Sequence, residues 1–191
     1  IASQLVENLR FFLWLPVAVL PDSRLYAICR DDDFTFGVLS SRLHEVWALA
    51  NASRHGVGND PTYNAGDCFE TFPFPQASET AKVVIAEAAK KLDDMRTRWL
   101  FPAEWVDCVP EIVAGFPERR VPKTGHETAL KARTMTNLYN ALPAWLIQHH
   151  QALDKAVANA YGWTDYSPST TDGEILRRLS VLNKERSISE T

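Results

Sequence analysis

The chain has 191 residues, 46% hydrophobic and 23% charged, the balance of an ordinary globular protein with room for one sizeable core or two small ones. Its net charge of −4 argues against a free-standing nucleic-acid binder, which is usually basic. The deficit is local: residues 1–75 carry five Lys/Arg against nine Asp/Glu, while residues 76–191 carry fifteen of each.

No apolar run reaches the roughly 18 residues needed to cross a bilayer. The apolar stretch 11–20 is short, contains Pro16 and lacks the basic start of a signal peptide. With Ile at position 1, the chain is expected to be a piece of a longer protein. Cys29, Cys68 and Cys108 form no C-x-x-C pair and are odd in number. They are expected to be buried, free thiols in a reducing cytoplasm, without disulfide or metal.

Residues 9–20 and 24–30 are dense in Phe, Leu, Val, Ile and Tyr and flank Pro21-Asp22-Ser23, which reads as two strands joined by a turn. Asp31, Asp32 and Asp33 then precede a helical spacing of Phe36, Leu39, Leu43, Val46 and Trp47, predicting one helix over 34–50 with an acidic start. Residues 51–67, with three glycines and Pro61, read as a functional loop. Residues 68–75 (CFETFPFP) alternate like a short strand. Residues 81–100 predict a helix opened by Ser78 and Glu79. Four prolines make 101–126 an irregular, partly helical connection. Further helices are predicted over 128–140, 144–161 and 171–186, with a break at Leu142-Pro143. The expected class is α+β: a partial strand-plus-helix unit over 1–75 and a helical bundle over 76–191.

No catalytic constellation stands out. There is no G-x-G-x-x-G, no phosphate-binding loop and no G-x-S-x-G elbow. His149 and His150 are adjacent and so diverge on a helix, which disfavours a shared metal; a solvated or N-terminal helix face is the expected setting. His44 is expected to bond across the core, with Glu45 facing solvent or an arginine. Asp31, Asp32 and Asp33 fit helix capping rather than a metal site. Trp145, Trp163, Tyr139 and Tyr161 read as core aromatics. The segment 53–64 (SRHGVGNDPTYN) is the most informative. Arg54, His55, Asn59, Asp60, Thr62 and Tyr63 on a glycine-flexed backbone are residue types that read base edges: Arg to guanine, Asn to adenine, Asp from the cytosine amino group.

Three blocks, 34–49 (FTFGVLSSRLHEVWAL), 56–64 (GVGNDPTYN) and 69–75 (FETFPFP), resemble the target recognition domain of MmeI-like type IIL restriction–modification enzymes and related adenine-N6 DNA methyltransferases. Blocks 134–146 (TMTNLYNALPAWL), 153–163 (LDKAVANAYGW) and 174–186 (EILRRLSVLNKER) resemble the C-terminal helical region of the same bacterial family. The resemblance implies an upstream methyltransferase domain that holds S-adenosylmethionine and flips the target adenine, with a nuclease in some members. This chain would then carry no cofactor and no catalytic residue of its own. It would read double-stranded DNA as part of the parent enzyme. By the same resemblance, base contacts fall at Gly58, Asp60 and Thr62 and at Ser23 and Arg24. Many relatives carry Arg at the loop positions where this chain has Asp60 and Thr62, which leaves its target sequence open. Residues 59–63 (NDPTY) partly match the methyltransferase motif (N/D/S)PP(Y/F) but have one proline where two are expected. A degenerate methyltransferase site there, or a protein-interaction role for the helical half, are the alternative readings.

Because phosphate attraction supplies most non-specific affinity, the acidic chain alone is expected to bind duplex DNA weakly or not at all. A mobility-shift titration on random duplexes at low salt should show no retarded band; tight binding would contradict this reading.

Overall fold

The computed structural model describes residues 1–4, 10–55, 60–113 and 115–189. Strand β1 (Ala2–Gln4) pairs antiparallel with β2 (Leu25–Ala27), with Ser3 opposite Tyr26. Leu13 bridges the other edge of Ala2 through two backbone hydrogen bonds of 2.8 and 2.9 Å. The expected hairpin of 9–20 with 24–30 is thus replaced by a pairing of β2 with β1. Pro16 and Pro21 lack an N–H and cannot sustain a ladder, and the backbone instead turns at 16–19, where the Val19 N–H donates to the Pro16 carbonyl.

The helix expected over 34–50 is two helices, α1 (Asp33–Leu39) and α2 (Arg42–Asn51). Asp32 caps α1 by accepting from the Thr35 N–H at 2.7 Å, the role expected of the acidic triplet. Two serines make the break. Ser41 donates its hydroxyl to the Val38 carbonyl at 2.7 Å and stands at the N-cap of α2. Serine offers the backbone such alternatives to a continuous helix.

The segment expected to be a loop contains strands β3 (Ser53–His55) and β4 (Asp60–Thr62), paired antiparallel. A π-helical turn over Ala65–Glu70, capped by Asn64 accepting from the Asp67 N–H, follows in place of the expected strand. Ser78 then caps α3 (Glu79–Leu100), as expected. In 101–126, strands β5 (Val106–Val109) and β6 (Arg119–Pro122) pair where an irregular stretch was expected, because all four prolines fall outside the strands or at a strand end. Helices α4 (Glu127–Lys131), α5 (Met135–Ala141), α6 (Ala144–Ala160) and α7 (Asp172–Ser189) complete the chain. Leu142, in a left-handed conformation at φ 41°, and Pro143 separate α5 from α6.

The architecture is α+β, with α3 as its central rod. Helices α1 and α6 both pack along α3, and α7 packs on α2. One continuous apolar cluster joins Phe36 and Leu39 of α1, Ile85 and Leu92 of α3, and Leu153 of α6. Residues on either side of position 75 share that core. Of the three thiols only Cys68 is buried; Cys29 and Cys108 are exposed, contrary to the expectation for a small apolar side chain. No helix among the described residues is long and apolar enough to cross a membrane.

Gly37 explains how α1 meets α3 so closely. A Cβ at this position would stand 2.8 Å from Ile85 Cγ2, 3.0 Å from Ala89 Cβ and 3.2 Å from the Ile85 carbonyl oxygen. Backbone is among the obstacles, so rotamer changes cannot clear the space. Gly37→Ala should cost about 1–3 kcal/mol by overpacking, read as a lower urea midpoint with unchanged slope.

Candidate nucleic-acid interface

The β3–β4 hairpin is built on alternation. Side chains of successive strand residues point to opposite faces, so Asp60 and Thr62 share one face and Pro61 the other. Pro61 is buried, whereas Asp60 and Thr62 are partly exposed. Within Thr62 the hydroxyl oxygen is buried and has no hydrogen-bond partner among the described residues. Across the ladder, Ser53 pairs with Thr62, Arg54 with Pro61, and His55 with Asp60. Arg54 is exposed. Gly58 and Asn59, also expected to contact bases, lie outside the described residues.

Tyr63 continues the inward set, which overturns the base-contact role expected of it. Its ring is completely buried, so it cannot offer a side chain to a base edge. Four groups surround it. Phe12 and Tyr26 meet it edge-on at 5.8 and 5.4 Å, and the Arg10 guanidinium lies 4.8 Å from its centroid. Its hydroxyl stands 3.1 Å from Nε2 of His44. The other His44 nitrogen, Nδ1, is 3.1 Å from the Leu39 carbonyl oxygen. A carbonyl only accepts, so Nδ1 carries the proton, Nε2 is a bare acceptor and Tyr63 donates to it. His44 therefore bonds across the core as expected. Burial lowers its pKa to about 3 and raises that of the Tyr63 phenol far above its ordinary value.

Arg10, absent from the expected site residues, donates to the Gln4 carbonyl at 2.7 Å and reaches the Pro61 carbonyl at 3.5 Å. It ties the β1 edge to β4. Its isolation among apolar neighbours is the signal in the sequence, since a lone arginine there needs acceptors.

Ser23 and Arg24 are exposed in the turn that opens β2. Arg24 is held by Asp22, whose carboxylate accepts from Nε at 3.0 Å, from the terminal nitrogen at 2.7 Å and from the Arg24 backbone at 2.8 Å. The Tyr26–Tyr63 contact joins β2 to the residue that follows β4. The two expected reading sites thus stand on elements that share one anchor.

Elsewhere, His150 accepts from the Tyr139 hydroxyl at 2.8 Å, and burial lowers its pKa to about 4. It is partly buried rather than fully solvated. No group of three or more His, Cys, Asp or Glu suited to a metal occurs among the described residues. Trp145, Trp163, Tyr139 and Tyr161 pack against the core as expected. Tyr161 donates to the Pro73 carbonyl at 2.9 Å and Arg186 to the Phe74 carbonyl at 2.6 Å, which fastens the FPFP stretch to α6 and α7. The described strands form three antiparallel pairs.

The fold is similar to that of the type IIL restriction–modification enzyme MmeI, solved in complex with DNA. The TM-score is 0.58 at 22% identity, over 86% of this chain and 17% of that one. In sequence the chain is similar to DNA methyltransferase A of Bacillus subtilis (strain 168), with 26% identity over 185 residues, 94% of this chain and 17% of that protein. No family model matches the chain. The resemblance expected from the ordered sequence blocks is therefore present in fold and in sequence, and the chain spans 17% of the length of each protein it matches.

Tyr63→Phe leaves the His44 Nε2 acceptor buried without a donor and should cost about 1–3 kcal/mol in urea unfolding at neutral pH. Because the folded pKa of His44 is about 3 against an ordinary 6.5, the unfolded chain takes up its proton first. The stability due to neutral His44 is complete above 6.5 and is lost as pH falls toward about 3. Nitrogen-15 NMR should find the ring neutral, with the proton on Nδ1, down to about pH 4.

Proposed function

We propose that this chain is the DNA-sequence-reading and scaffolding portion of a longer adenine-N6 DNA methyltransferase of the restriction–modification type. The β3–β4 hairpin and the Ser23–Arg24 turn carry the base-reading groups. The alternation of β4 is the observation that supports this reading best. Pro61 and the following Tyr63 are buried, which leaves Asp60 and Thr62 together on the opposite face. A two-stranded ribbon fits the major groove, where an aspartate accepts from the cytosine amino group and a threonine methyl packs on that of thymine. Arg54, His55, Gly58 and Asn59 belong to the same hairpin or its connection and complete the candidate set. Cofactor binding and adenine flipping are assigned to parts of the parent outside this chain.

The degenerate-methyltransferase reading of residues 59–63 is disfavoured. Its aromatic residue, Tyr63, is locked in the core on His44 and has no face free to stack on a base. Calorimetric titration of the chain with S-adenosylmethionine should accordingly give no heat.

The test uses the parent protein. Asp60→Arg and Thr62→Arg should change which sequence is methylated, read by mapping methyladenine across a genome, at a methylation rate within about ten-fold of the original. An unchanged target sequence in both variants would sink the proposal.

A further inference from the structure

A cavity of about 320 Å³ opens between the α1–α2 junction, the end of α5, and α6. Phe12, Leu39, Leu142 and Ile147 give it apolar walls, and Glu45 and Asp154 give it an acidic end. The acceptors at that end are short of donors. Asp154 is only 7% exposed, and its Oδ1 accepts from the Arg42 backbone N–H at 2.8 Å. Its Oδ2 has no hydrogen-bond partner among the described residues, and the residue lines the cavity. Glu45 makes no side-chain hydrogen bond or ion pair among the described residues. The Ser40 hydroxyl, also lining the cavity, is buried without a partner among the described residues.

The charged donors nearby are already committed. Arg42 bonds the Thr170 carbonyl at 2.9 Å and Asp172 at 2.6 Å. Arg10 bonds the Gln4 carbonyl and lies over Tyr63. The Tyr139 hydroxyl receives Arg96 at 3.2 Å and so gives its own proton to His150. Buried carboxylates without donors are costly unless something supplies them. An anion would be repelled by Glu45 and Asp154, and no group of three or more His, Cys, Asp or Glu suited to a metal ion occurs among the described residues. What fits is a cation with several N–H groups on a short hydrocarbon stem.

We propose that this cavity binds an alkylguanidinium group, its head on Glu45 and Asp154 and its stem along Leu39, Leu142 and Ile147. Several N–H donors on one planar cation match carboxylates better than a single point charge does. The site is separate from the base-reading hairpin and does not depend on the function proposed above. Burial raises the carboxyl pKa of Glu45, and that of Asp154 to about 7, so an arriving cation displaces protons. The other titratable groups facing them are Arg10, Arg42, Tyr139, His150, Tyr166 and Asp172. His150 is neutral throughout this range, its pKa being about 4, so binding strengthens from about pH 6 to about pH 8.

The test is titration of the 191-residue chain with n-butylguanidinium, followed by thermal denaturation and by methyl NMR of Leu39 and Ile147. The cation should raise the melting temperature and shift both methyl groups, while n-butanol and butyrate should do neither. Glu45→Gln and Asp154→Asn keep side-chain shape, and the Asp154→Asn amide retains an oxygen to accept from the Arg42 N–H. Each should weaken binding about ten-fold or more. Unchanged Tyr63 ring signals would show both variants folded. A peptide, acetyl-Gly-Arg-Gly-amide, separates two sources: competition by the peptide assigns the site to an arginine side chain, and binding of the small cation alone assigns it to a free ligand. Protection no greater than that of n-butanol, or equal affinity in both variants and the original chain, would overturn the proposal.

Discussion

His44 donates from Nδ1 to the Leu39 carbonyl and accepts at Nε2 from Tyr63, and this one neutral ring spans three elements. The first bond satisfies a carbonyl at the end of α1, where the helix has no further partner to give it. The second fixes the residue after β4. A protonated ring would reverse the second bond, with Nε2 donating to the phenol oxygen and the buried Tyr63 O–H left without its acceptor. Burial keeps the ring neutral. Phe12, Phe72 and Tyr63 close around it, with Phe72 edge-on at 4.8 Å. The α1–α2 break and the hairpin anchor are thus one device seen from two sides.

The same economy joins sequence blocks that lie far apart. The FPFP stretch has no strand partner among the described residues and leaves backbone carbonyls in need of donors. Tyr161 from the end of α6 serves Pro73, and Arg186 from α7 serves Phe74. The helices after residue 75 are therefore part of what holds the segment before it, and the common core at Gly37 and Ile85 says the same in apolar terms.

Elements with strong local signals are legible in the sequence. The α3 helix, with its Ser78 cap and 3.6-residue periodicity, is predicted within two residues, and the Asp32 cap follows from acidity at a helix start. Features decided by tertiary context are not. The Ser40–Ser41 break leaves the apolar spacing nearly intact, so periodicity reads straight through it. The short strands β3 and β5 have three and four residues, too few for alternation to show. The pairing of β2 with β1 depends on a contact more than twenty residues away in sequence, set by Ala2 meeting Ala27 and Gln4 meeting Leu25. At the candidate interface, composition singles out the hairpin segment but cannot sort Tyr63 from Asp60 and Thr62. Only the direction of β4 relative to His44 decides that.

Charge is the remaining tension, because an acidic surface repels phosphate. Arg24 shows how the two can coexist. Its guanidinium is 88% exposed and its bond to Asp22 is local and open to water. Such exposed pairs are worth about 0–1 kcal/mol, whereas a bidentate arginine–guanine contact is worth about 1–3 kcal/mol. Under the proposed function, the exchange would favour the base wherever a guanine is presented, and elsewhere Asp22 would compete with phosphate for the cation. On that proposal, an acidic reading surface would sacrifice general affinity and retain the difference between one base and another. That arrangement suits a segment whose grip on DNA comes from the rest of a larger protein.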